Sequence, residues 1–134
     1  MVIKLSMFAF VICLLLKPYD DNCDKVKNGI FYFYAKNTKE KFKLIKNDSL
    51  QQEINLNNGD TSFWKINWLD NCTFSIKFLN STKVMPQDEK VFRNSHIIVS
   101  RILKVTSEYY TFVAGLDSLN SKYISTDTVW LSLK

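Results

Sequence analysis

The chain offers little that could do chemistry: one histidine, three cysteines, 13 carboxylates and three glycines. His96 follows Asn94 and Ser95 at the start of an apolar run. A serine–histidine–aspartate arrangement can be composed around it on paper, but no nucleophile elbow or comparable motif accompanies it. A core-edge or surface histidine is the plainer reading. The carboxylate pairs Asp48 with Glu53 and Asp88 with Glu89 have no spacing that defines a general acid and base. Asp20-x-Asn22-x-Asp24 resembles the opening of a calcium loop. However, Lys25 occupies the position of the required glycine and Phe31 that of the closing glutamate. Three glycines cannot build a phosphate-cradling loop. No catalytic residue, metal-ligand set or cofactor is expected. The chain is expected to be non-enzymatic, with a hydrolase as the outlying alternative.

The cysteines bear on folding and compartment. Residues 1–17 carry one early lysine, Lys4, followed by the apolar run Leu5 to Leu16. That run is short for a membrane span, which needs about 20 residues, and it fits the apolar region of a secretory signal. Cleavage is expected somewhere between residues 16 and 22, leaving 18–134 as one β-domain. An uncleaved membrane anchor is the alternative. If Cys13 leaves with that segment, Cys23 and Cys72 remain, and an even pair in an exported chain reads as one disulfide. Free thiols are the rival reading, and a metal site lacks any suitable spacing. Removing Lys4 and Lys17 lowers the formal charge from +5 to +3. The basic residues are spread along the chain without a dense stripe, so no nucleic-acid partner is expected.

The elements that would position any site are strands. Phe63 to Phe78 reads as a hairpin turning at Leu69-Asp70-Asn71, with Trp64, Ile66 and Trp68 on one face and Cys72, Phe74, Ile76 and Phe78 on the matching face. Before it, Ile30, Tyr32 and Tyr34 alternate with Phe31, Phe33 and Ala35. Either this strand is covered on both sides or its tyrosine face lines a cavity. Phe42 and Leu44 point inward from Lys41–Lys46. Leu50, Ile54 and Leu56, with Gln52, are expected on the inner face of the next strand. Asn58-Gly59 supplies the positive backbone φ that a tight hairpin needs. The stretch from Asn80 to Ser95 is expected to be an irregular connection. Then Ile97, Val99, Leu103 and Val105 share a face with Arg101, a strand follows at Tyr109 to Ala114, and the last strand places Val129, Leu131 and Leu133 together.

About eight strands with short connections predict an all-β antiparallel meander. It is expected to curl or close into a small up-and-down barrel, lipocalin-like in architecture, because closure removes exposed edges. A β-sandwich is the alternative. Aromatics at period two are mostly core. Tyr32, Tyr34, Trp64, Trp68 and Phe74 are the candidates to line a ligand cavity.

Cys23, Gly29-Ile30-Phe31-Tyr32, Ile45-Lys46-Asn47-Asp48-Ser49-Leu50-Gln51-Gln52-Glu53 and Ile66-Asn67-Trp68-Leu69-Asp70-Asn71-Cys72 together resemble a group of small exported proteins of flavobacteria and relatives. That group's pattern runs Cys, Gly-x-Phe-Tyr, Arg-Asn-Asp-Ser-x-Gln-x-Glu, Trp, Cys. Lys46 stands where the group has arginine, so no guanidinium role carries over. Some members bear a DNA topoisomerase label, which a chain of this size and content does not fit. The resemblance covers Cys23 to Phe74 and implies bacterial export and one disulfide, but no activity. The expectation is therefore a secreted, periplasmic or envelope β-domain serving as a binding or interaction module. Its partner would be an envelope protein or, in a lipocalin-like carrier, a small apolar ligand. No stable membrane span is expected once the signal is cleaved.

Overall fold

A computed structural model describes residues 21–134, so the expected signal segment lies outside the described residues. A short 3-10 helix, Asp21–Val26, leads into eight strands: β1 Gly29–Tyr34, β2 Lys41–Lys46, β3 Leu50–Asn55, β4 Thr61–Trp68, β5 Thr73–Ser81, β6 Ile98–Val105, β7 Tyr109–Leu116 and β8 Ile124–Trp130. One α-helix, α1, Gln87–Ser95, lies between β5 and β6. Each strand pairs antiparallel with the next, and β8 returns to β1 to close an up-and-down barrel. The closing seam is the weakest junction, with a single register pair, Tyr32 opposite Trp130.

Local chemistry explains the turns. At one end of the barrel three side chains cap three hairpins in the same way. Asn47 Oδ1 accepts from the Ser49 and Leu50 amides. Asp70 Oδ1 accepts from those of Cys72 and Thr73. Thr106 Oγ1 accepts from those of Glu108 and Tyr109. Asn, Asp and Thr favour such turns because their short acceptors reach the backbone two and three residues on. At the opposite end Gly59 has φ 83°, the left-handed conformation the β3–β4 turn demands.

The first end is closed. Cys23, Val26 and Cys72 are fully buried, and Cys23 is bonded to Cys72 at a Cα–Cα distance of 5.4 Å. The 3-10 helix thus seals this end. Lys27 leaves it to sit 4.6 Å from the Trp68 ring centroid and to donate to Asn71 Oδ1 at 3.1 Å. Above this floor the core gathers Phe31, Leu44, Ile66, Phe74, Ile76, Ile102, Tyr110 and Val129.

Three expectations are corrected. On β3 the inner face belongs to Gln51, Glu53 and Asn55, not to Leu50, Gln52, Ile54 and Leu56. Strand pairing sets this parity. Lys46, Leu44 and Phe42 face inward on β2 and stand opposite Gln51, Glu53 and Asn55. Residues opposite one another share a face whatever their polarity. On β6, Ile98, Ser100 and Ile102 face inward. A bulge between Ile102 and Lys104 then shifts the alternation, so Leu103 is exposed while Val105 returns to pack on the core. Finally, the stretch expected to be irregular before Ser95 contains α1. Asp88 and Glu89 occupy its first turn, and Glu89 pairs with Arg93 at 3.1 Å.

Candidate functional site

The barrel is hollow in its second half. A cavity of about 350 Å3 runs from a floor at Phe74 and Tyr110 to a rim at Leu116 and Tyr123. Its walls come from every strand but β4: Phe33 on β1, Leu44 on β2, Gln51 on β3, Ile76 on β5, Ile98 and Ser100 on β6, Phe112 and Ala114 on β7, and Ser125 and Val129 on β8. The lining is predominantly apolar, with a few polar groups. That composition follows from the alternation of inward residues on strands β5 to β8.

Of the five aromatics expected to line a cavity, Phe74 does so. Trp68 faces inward below the cavity, with its ring 4.8 Å from that of Phe74. Trp64 faces inward nearer α1, its ring 5.3 Å from that of Phe78. Tyr32 and Tyr34 do not reach the interior. Phe31 and Phe33 take the inner face of β1, and the intervening tyrosines lie outside, where the Tyr34 hydroxyl engages the backbone of Lys134. The Phe31 and Phe33 face was the cavity face because these residues stand opposite Leu44 and Phe42.

Among the described residues two charged side chains, Lys46 and Glu53, project into the barrel, and neither was expected there from the sequence. Lys46 is 3% exposed. Its Nζ lies 4.7 Å from the ring centroid of Phe74, 5.5 Å from Tyr110, 5.7 Å from Phe31 and 5.9 Å from Trp68, and donates to the Tyr110 hydroxyl at 3.5 Å. Burial pulls its pKa down to about 8 and pushes the Tyr110 phenol well above its usual range. Glu53 lies further toward α1. Burial pushes its carboxyl up to about 7, opposed by the charge of Arg93 and by Gln51 and Trp64 beside it. The Trp64 indole nitrogen is close enough to act on the carboxyl but makes no hydrogen bond of regular geometry. Arg93 reaches from α1 across the rings of Phe78 and Trp64, at 5.4 and 5.8 Å. The period-two pattern Phe42, Leu44, Lys46 was the available signal for the lysine. Glu53 was hidden by the parity of β3.

His96 is brought to an aspartate, but as a clamp on two loops. Its Nδ1 lies 2.6 Å from Asp117 Oδ2, and Asp117 Oδ1 accepts from the Ile97 amide at 3.1 Å. The hydrogen bond from His96 holds the Asp117 carboxyl below its ordinary pKa. The adjacent Ser95 hydroxyl donates to the Val91 carbonyl instead. Among the described residues no group of three or more His, Cys, Asp or Glu is placed to hold a metal ion, and no helix is long and apolar enough to cross a membrane. Comparison with protein-family models, curated proteins and solved structures gives no match.

Proposed function

We propose that this protein is an exported, non-enzymatic binding module that carries a small apolar ligand inside its barrel, in the manner of a lipocalin-like carrier. The observation that carries the reading is the cavity. At about 350 Å3 it falls in the range of small-molecule sites, roughly 300–1,000 Å3. Allowing about 30 Å3 per water-sized group, it holds about twelve such groups. Its apolar walls reward the transfer of apolar surface from water, and the sealed floor leaves the rim beside Tyr123 as the way in. The buried Cys23–Cys72 disulfide supports the exported part of the reading, since such bonds persist in oxidising compartments.

Native mass spectrometry of the purified protein, with organic extraction and analysis of the extract, tests this. A stoichiometric apolar molecule in the extract, or uptake of one added medium-chain alcohol per chain, is the expected result. A protein that arrives empty and takes up none would overturn the reading.

A further inference from the structure

Behind Phe74 and Tyr110 at the floor of the cavity lies the Lys46 ammonium, with no carboxylate paired to it among the described residues. The ion pairs among the described residues involve Lys27, Lys36, Arg93 and His96, not Lys46. Four ring faces keep the Lys46 ammonium attracted but not neutralised. An unneutralised buried charge is unfavourable, and an arriving anion would relieve it. The other interior carboxyl does not serve. Glu53 stands opposite Leu44, two residues along β2 from Lys46, and faces the charge of Arg93. The interior is thus positive at the floor and balanced nearer α1.

Polar contacts lie between this charge and the cavity. Tyr110 lines the cavity and its hydroxyl oxygen accepts a hydrogen bond from the Lys46 ammonium, leaving its own O–H free to donate. Gln51, directly opposite Lys46 on β3, also lines the cavity and is 7% exposed.

Resting on the reading of the cavity as a ligand site, we propose that the ligand is an amphiphilic anion, an apolar chain with a single carboxylate head. The head lies at the floor, accepting from Tyr110 with the Lys46 ammonium behind it. The tail runs past Ile76 and Phe112 toward the rim. A charge-assisted hydrogen bond to a carboxylate is stronger than the neutral one an alcohol would make. A cationic head would meet repulsion at the same place.

Calorimetric titration of the oxidised protein with decanoate, decanol and decyltrimethylammonium at neutral pH tests the proposal, repeated with Lys46→Met and Tyr110→Phe. Decanoate is expected to bind about tenfold or more tighter than decanol, and the ammonium compound more weakly than decanol. In Lys46→Met the preference for decanoate disappears while decanol affinity stays within about twofold. Equal binding of decanoate and decanol by the unaltered protein would overturn the anionic head and leave the apolar-ligand reading standing. No binding of any of the three would overturn both. Ranking the three compounds on the unaltered protein needs no substitution, so the outcome does not depend on how the variants fold.

Discussion

Lys46 and Glu53 set the electrostatic character of the interior, and each links stability to pH in a definite direction. The unfolded lysine titrates at 10.5 and the folded one at about 8. Folding therefore opposes the charged form, and the deficit is present in full below about pH 8 and fades as pH rises toward 10.5. A shift of that size corresponds to on the order of 3 kcal/mol, and the ring contacts return part of it. Lys46→Met is expected to raise unfolding stability by on the order of 1–2 kcal/mol at neutral pH, with the gain shrinking above pH 8, as followed by urea denaturation. Glu53 runs the other way. Its unfolded carboxyl releases its proton near 4.5, the folded one near 7. Stability from this group therefore falls as pH rises through that window and levels off above it. Glu53→Gln should match the unaltered protein below pH 4.5 and exceed it above about pH 7 by on the order of 1–3 kcal/mol.

At the scale of elements, the barrel is held at its floor by covalent and packed contacts together. The 3-10 helix is too short to stand alone, yet Cys23 and Val26 are fully buried because the bond to Cys72 fastens it beneath the hairpin of β4 and β5. For a sequence separation of 49, the chain-entropy account gives about 4 kcal/mol. Cys23→Ala with Cys72→Ala is expected to lower unfolding stability by about 2–4 kcal/mol, read from the midpoint of a denaturant titration. The strands themselves were legible from alternation and turn residues, with β2 recovered to the residue. The face of β3 was not, because its outward residues are the apolar ones. Parity there is imposed by Lys46 and Trp64 across the ladders, and a strand taken alone does not contain that information. The β6 bulge defeated alternation for a similar reason. Helix α1 has no buried residue, so it lacks the apolar stripe by which helices are usually read. Pro86 followed by Gln87-Asp88-Glu89 was the start signal it did carry.

For the whole molecule, closure follows from the order of the strands. Eight strands linked by short turns pair in sequence, and the last returns to the first. The barrel and the Cys23–Cys72 bond were therefore within reach of the sequence. The hollow was not, since a cavity depends on which inward side chains fail to meet at the axis. Here the inward aromatics concentrate toward the floor and toward α1, and Ser100, Ala114 and Ser125 leave space between. This arrangement builds the cavity, and the proposed function stands or falls on its occupancy. The most direct measurement is the fluorescence of an environment-sensitive naphthylamine dye titrated into the unaltered protein and into Ala114→Phe, with decanol as competitor. The expected result is an enhancement that saturates at one dye per chain, is reversed by decanol, and is lost in Ala114→Phe while that variant still unfolds cooperatively. Dye binding that persists undiminished in Ala114→Phe, or no saturable enhancement in the unaltered protein, would contradict it.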